Sequence, residues 1–472
     1  MSRPGESSNE LVPVDLLEAT IATALQAGGE FAEVFVEDRR SLALVFDDGR
    51  VEDVVSGVDR GAGVRVISGA TTGFAHTSDL GAAGLAAAAA AASAAARGSA
   101  GIHAAALTSQ AGSVVQPVER DPEEVDTAAK VELLRRADDA ARAAGSAISQ
   151  VNVSYNDAWR RFQVANSDGV YGTDRVCRTR FMVNAVARGD TGLQTGFEAP
   201  GRTVGFEFFD EFDVEEVART SALRALRLLD ARPAPSGQLP VVLAKGAGGV
   251  LFHEACGHGL EADLVDKDAS VFAGRVGQRV ASPAVTLVDD GTLAREWGTG
   301  AIDDEGRPRV CTTLIRDGEL VDFMWDARTA RQHSRSSTSN GRRQSYAHLP
   351  MARMTNTYLL PGTDDPESLI ADTELGVFCV QMGGGSVNTA TGDFVFGMTE
   401  AYLIENGRLT APLRPANLIG NGPAVLHLID AVANDLATWT GTCRKDGQNV
   451  AVSAGQPTVR VSALTIGGTA GG

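Results

Sequence analysis

Apolar and polar positions recur with two periods along this chain, and the changes of period mark its elements. Over Val14 to Ala27 apolar residues fall at helical spacing, with Leu16, Leu17, Ile21 and Leu25 on one side, which predicts an amphipathic helix. Alternation with period two follows over 32–37, 41–46, 61–67 and 72–76. This predicts a small antiparallel sheet, with Asp47-Asp48-Gly49 and Ser68-Gly69 as turns. An Ala-rich run from Ser78 to Arg97 predicts a helix closing that sheet. Residues 98–122 lack periodicity and read as a linker. Further on, the pattern predicts helices over 126–144 and 213–229, the latter capped by Asp213 with Glu216 at the capping-box position. Between them lie predicted strands at 150–156, 160–166 and 177–187, with a turn at Asn166-Ser167-Asp168-Gly169.

Pro233, Pro235, Ser236 and Gly237 then break the chain. Beyond them a short buried strand, Leu239 to Ala244, turns through Lys245-Gly246-Ala247-Gly248-Gly249 into a helix bearing His253. That glycine run lacks the Lys-Ser/Thr ending of a phosphate-binding loop, so it predicts a tight turn packed beneath the helix. The rest reads mostly as strands: 284–289, 309–316, 320–324, 377–382, 398–405, 408–411 and 459–466, with one helix over about 423–435. The fold class expected is α+β. A small N-terminal β-α domain (10–110) precedes a middle α/β region (111–235), then a large, mostly antiparallel β C-terminal domain (236–472) that carries the helix bearing His253. A chain of 472 residues is too long for one core, which agrees with this division.

Composition narrows the function classes. A net charge of −18 argues against a general nucleic-acid surface. Five cysteines are too few, and odd in number, for a disulfide framework, which fits a reducing cytoplasm. Met1 to Val12 has neither the basic nor the apolar stretch of a secretory signal. The long uncharged run Leu80 to Ala96 is mostly Ala and Gly, too weakly hydrophobic for a membrane span.

Candidate chemistry concentrates in His253-Glu254-Ala255-Cys256-Gly257-His258. Paired imidazoles with an adjacent carboxylate can hold a catalytic metal and activate water. On a regular α-helix, residues five apart are offset by roughly 140° and diverge. A π-type widening restores a common face, and the flanking Gly257 and Gly259 tolerate one. Without it, one His is structural and no metal binds. A catalytic site also needs a third ligand. Glu261, Asp263, a third His (His333, His348 or His427) and Cys443 are candidates. Cys256 is expected to pack into the core. Cys443 reads as part of a glycine-flanked turn, where Arg444 and Lys445 would favour its thiolate. His76 and His103 stand singly and read as surface or packing residues. Arg331, Arg335, Arg342 and Arg343 cluster in a Ser-, Asn- and Gly-rich stretch. It reads as a solvated loop or as an entrance engaging peptide backbone or acidic side chains.

Together with Gly341-Arg342-Arg343-Gln344-Ser345-Tyr346, Arg353-Met354-Thr355-Asn356-Thr357, Gly383-Gly384-Gly385-Ser386-Val387-Asn388 and Thr442-Cys443-Arg444-Lys445-Asp446-Gly447-Gln448, the segment His253 to Asp263 resembles the TldD subunit of the TldD/TldE (PmbA) zinc metallopeptidase family. The likeness covers nearly the whole chain. It departs at Arg444, where the family pattern has a glycine. The resemblance implies Zn2+ held by His253, His258 and Cys443, with Glu254 as catalytic base. It implies cleavage of unstructured or leader peptides by a cytoplasmic heterodimer with a homologous TldE/PmbA-type subunit, and no nucleic-acid or membrane partner. Tyr346, His348 and Arg353 are candidate substrate contacts. Two rivals stand beside this reading. One is an H-E-x-x-x-H peptidase with a carboxylate third ligand, Glu261. The other is a non-catalytic scaffold.

Overall fold

The computed structural model describes residues 10–96, 105–110, 112, 116–190, 192–246 and 248–467. Its architecture is α+β, as expected, with strand outweighing helix. Among the described residues no helix is long and apolar enough to cross a membrane.

The first half is one sheet. Strands Thr71–Thr77, Arg50–Ser68, Phe31–Asp47, Ile148–Asn166 and Val170–Gly189 pair antiparallel in that order. Short strands Thr108–Ser109, Gly192–Glu198 and Gly201–Arg202 add to Val170–Gly189. Helices Val14–Leu25 and Ala82–Ala96 bury Leu17, Ile21, Leu85 and Ala89 against Val34, Val64 and Val66. Alanine suits this layer because the helix lies very near the sheet: a Cβ on Gly73 would fall 2.0 Å from the Ala92 carbonyl oxygen. Helices Thr127–Ala143 and Val214–Leu229 cover the other end through Leu134, Ala137, Ala218 and Ala222 on Val153, Phe181 and Val183. Asp213 caps the latter by accepting from the Glu215 amide at 3.0 Å.

Several of these strands are longer than their apolar alternation suggests. Ile148–Asn166 runs unbroken through Asp157, Ala158 and Trp159, the gap between the strands expected at 150–156 and 160–166. The charges at this gap are paired: buried Asp157 with Lys130 at 2.7 Å, and half-buried Arg160 beside it with Glu37 and with Asp304. Pairing removes the cost that would otherwise expel them from a strand interior.

The second half stacks two sheets around one core. One sheet orders Glu319–Leu320, Cys311–Arg316, Leu287–Asp290, Asn356–Leu359, Gln448–Gln456 and Ala437–Lys445. The other orders Leu375–Val387, Gly237–Leu243, Val459–Gly467, Ala416–Asn421, Asp393–Glu405 and Arg408–Leu413, with Ile429–Val432 also on Val459–Gly467. The pairings are antiparallel except Asn356–Leu359 with Gln448–Gln456 and Leu375–Val387 with Gly237–Leu243. Between the sheets lies the segment carrying His253, and Leu251, Phe252, Cys256 and Leu260 are buried in the shared core.

Two expectations need correction. The helix expected over about 423–435 is only Gly422–His427. The chain then extends as Ile429–Val432, because Ile429 and Val432 bury against the strand Val459–Gly467. Cys443 lies on a strand, Ala437–Lys445, not in a turn. The turn is Asp446-Gly447, both residues with positive φ. His103 and part of the expected linker lie outside the described residues.

Candidate metal centre

The strand Gly237–Leu243 delivers the chain into a helix that begins at Gly249 and packs directly on the Gln448–Gln456 strand. A Cβ on Gly249 would lie 2.5 Å from the Gly455 amide nitrogen, so glycine is what permits this approach. Regular helix lasts from Gly249 to Phe252. From His253 to Gly257 the helix is π-wound, and the His258 amide donates to the His253 carbonyl five residues back. This widening is the condition that the sequence spacing sets, and it turns His253 and His258 towards each other. Their ring centroids are 5.1 Å apart and their planes are near perpendicular, at 83°. A Cβ at Gly257 would meet Met354 Sδ at 2.4 Å, which explains a glycine within the wide turn.

Cys443 arrives from the other wall. Its strand pairs with Gln448–Gln456, placing Cys443 opposite Val450. Its Sγ lies 3.4 Å from His258 Nε2. One ligand atom each from His253, His258 and Cys443 falls within 4.8 Å of the others, and all three residues are buried. Such a set of two imidazoles and a thiol, with few protein neighbours for their donor atoms, suits a tetrahedral divalent ion with one position left open. Among the described residues Nδ1 of His253 is buried without a hydrogen-bond partner, which also fits a site built for something further. Burial alone raises the Cys443 thiol, but His253 and His258 outweigh it and hold the group well below its ordinary value. The thiolate is thus favoured by the imidazoles. Lys445, expected to serve that purpose, points elsewhere, and Arg444 is exposed.

Behind the triad is a second layer. Glu261 Oε2 accepts from His258 Nδ1 at 3.0 Å and from Lys445 Nζ at 2.9 Å. Lys445 also donates to Asp263 at 2.6 Å and to the Ala352 carbonyl at 3.0 Å. Burial lowers His258, yet the Glu261 carboxylate overrides it and raises the imidazole well above its usual value. The rival third ligand, Glu261, therefore sits on the outer nitrogen of His258 and away from the three converging donors. A carboxylate there fixes which ring nitrogen faces inward. Arg353 has no exposed surface, and its guanidinium donates to the Cys443 carbonyl at 2.7 Å.

Glu254 stands at the edge of this centre, with Oε2 3.8 Å from His258 Nε2 and its side chain partly exposed. It lines a cavity of about 340 Å³ together with His253, Thr442, Trp439 and Phe197. Gly383, Gly384 and Gly385 form another part of the wall, and a Cβ on Gly384 would meet nothing within 4 Å. The structure brings Glu254, His253, His258 and Cys443 together. It does not bring Tyr346, His348 or Arg353 to this cavity. Tyr346 packs on the N-terminal sheet near His76, with ring centroids 6.1 Å apart, and His348 meets Ser345 Oγ at 2.9 Å. The supporting roles of Lys445 and Asp263 were not readable in advance, because nothing in the sequence shows that the two meet.

Comparison with known proteins bears on this arrangement. Residues 32–96, 120–229 and 236–468 match domain 1, the central domain and the C-terminal domain of the PmbA/TldA metallopeptidase models. The chain is 38% identical over 453 residues to the Metalloprotease TldD homolog of Haemophilus influenzae, covering 93% of each. It is 33% identical to a Metalloprotease of Methanothermobacter thermautotrophicus, covering 93% of this chain and 96% of that one. The crystal structure of TldE from Thermococcus kodakarensis shares the fold, with a TM-score of 0.78 at 18% identity over 96% of this chain and 100% of that one. Identity and coverage at this level place the chain in the TldD/PmbA metallopeptidase family.

Proposed function

We propose that the chain is the catalytic subunit of a zinc metallopeptidase that cuts unstructured peptides, including leader peptides. The observation that carries this reading is the convergence of His253, His258 and Cys443 beside Glu254 on the wall of a cavity. In the proposal the three converging residues hold the metal. Zinc bound there would supply a Lewis acid that eases ionisation of water and polarises the scissile carbonyl. Glu254 accepts the proton of the attacking water and returns it to the departing amine. Glu261 holds His258 through its outer nitrogen, and Lys445, itself held by Asp263, holds Glu261. A thiolate among the ligands leaves the centre less positive than three neutral donors would, so proton removal leans more on Glu254.

A cavity of about 340 Å³ holds a short stretch of extended chain and not a folded domain. Kinship with TldE supports a homologous TldE/PmbA-type subunit as partner. The absence of a disulfide framework supports a cytoplasmic setting. The test is cleavage of an unstructured peptide by the purified chain, alone and with the co-expressed homologous subunit. Glu254→Gln is expected to retain zinc and to lose cutting by about 10²-fold or more. Full activity in that variant with zinc bound contradicts the assignment.

A further inference from the structure

A second cavity, of about 440 Å³, adjoins the first, and Thr442 lines both. Its wall carries Arg39, Arg160, Arg178, Arg342 and Arg343 in a chain whose net charge is −18. The carboxylate in that wall, Asp157, is already held by Lys130 at 2.7 Å and by Tyr155 at 2.6 Å. From behind the wall, Glu37 and Asp304 match Arg160, and Glu33 matches Arg343. Arg178 and Arg342 are handled differently. Arg178 donates to the Trp297 and Thr299 carbonyls at 2.8 and 3.2 Å, and Arg342 to those of Met354 and Ala451 at 2.5 and 2.7 Å. Carbonyls orient a guanidinium without cancelling its charge. Among the described residues Nε and Nη1 of Arg343 are buried with no hydrogen-bond partner. Burial, then the neighbouring Arg160, pulls Arg178 down to about 10, as expected where positive charge is crowded.

The two cavities share the hairpin Ala437–Lys445/Gln448–Gln456. Ala451 lines the arginine cavity, whereas Val452 and Ala454 line the one containing Glu254. Side chains alternate along a strand, so Ala451 and Val452 face opposite sides of the hairpin. The two cavities therefore meet across the outer strand Ala437–Lys445, at Thr442. We propose that the arginine-lined cavity seats a carboxylate of the peptide substrate, an acidic side chain or the C-terminal carboxylate, on the far side of Thr442 from Glu254. Planar guanidiniums oriented by carbonyls are suited to a forked carboxylate. The proposal rests on the peptidase reading and gives it a preference for one substrate class.

The test measures peptide binding in the Glu254→Gln protein, alone and with the homologous subunit, by fluorescence anisotropy. Three unstructured peptides are compared: one neutral and C-terminally amidated, one with a single Gln changed to Glu, and one with a free C-terminus. At least one acidic peptide is expected to bind about tenfold or more tightly than the neutral one, the scale of a charge-assisted hydrogen bond. Which of the two does so identifies the source of the carboxylate. Adding Arg178→Gln should collapse that ratio towards one, and so should Arg39→Gln, at an exposed position where folding is not at stake. Equal binding of all three peptides overturns the proposal, as does a ratio unchanged in both variants. Cutting of the neutral peptide by the zinc-loaded wild type is scored separately. Its failure tells against the peptidase reading, whereas the binding ratio alone decides the carboxylate site.

Discussion

Lys445 Nζ lies 2.9 Å from Glu261 Oε2, joining two residues 184 positions apart in a buried ion pair. Through that contact the strand bearing Cys443 grips the segment bearing His258, because Glu261 also accepts from His258 Nδ1. The proposed ligand set is thus closed from behind by side chains that do not line the cavity.

Removing the acceptor should loosen the metal. In Glu261→Gln the amide can still take one hydrogen bond but no longer pairs with Lys445 or stabilises the His258 ring in one tautomer. Zinc affinity, measured by chelator competition, is expected to fall by about 10–100-fold. Unchanged affinity would mean that Glu261 serves packing alone.

Lys445→Met tests the same pair from the other side. It leaves Glu261 and Asp263 buried without their shared cation, which is expected to cost about 3–5 kcal/mol at neutral pH. The effect depends on pH in a definite sense. Burial pushes the Glu261 carboxyl up, but Lys445 and His258 override it, so its folded value lies below its unfolded one. Such a group stabilises the fold above the unfolded value of about 4.3, and the contribution is lost as pH falls through the folded value. Asp263 is raised by burial despite Lys445 and so works in the opposite sense, offsetting part of this. The gap in denaturant stability between wild type and Lys445→Met, measured on metal-free protein, should therefore be widest near pH 7 and narrow below about pH 4. A gap that grows in acid contradicts the pairing.

Gly249→Ala probes how the helix is seated. The added methyl would fall 2.5 Å from the Gly455 amide nitrogen and 2.8 Å from its Cα, so backbone must move. A loss of about 1–3 kcal/mol in unfolding free energy is expected, as for other overpacked sites, together with weaker zinc binding. Stability equal to wild type would show that the helix can shift at no cost.

Much of this was legible along the chain, for identifiable reasons. The H-E-x-x-x-H spacing poses a geometric problem that a π-turn solves, and His253–Gly257 is wound in that way. Helices with strong periodicity, such as Val14–Leu25 and Val214–Leu229, appear close to their expected limits. Ile148–Asn166 was obscured because buried charges interrupt its alternation, and their partners come from distant segments. The strand Ala437–Lys445 was obscured because Thr, Gly and polar residues dominate it, leaving the turn signal at Asp446-Gly447 to spread over its neighbours. Arg353 offered a plausible substrate contact in sequence. In the fold it supports the Cys443 carbonyl, a contact set by tertiary packing alone.

X-ray absorption at the zinc edge on the purified, metal-replete protein reads the ligand set without recourse to activity. The arrangement of His253, His258 and Cys443 predicts one sulfur at about 2.3 Å and nitrogen scatterers at about 2.0–2.1 Å with the signature of two imidazoles. The sulfur shell should vanish in Cys443→Ser. A spectrum of nitrogen and oxygen alone in the wild type, or a sulfur shell that survives that substitution, would contradict it.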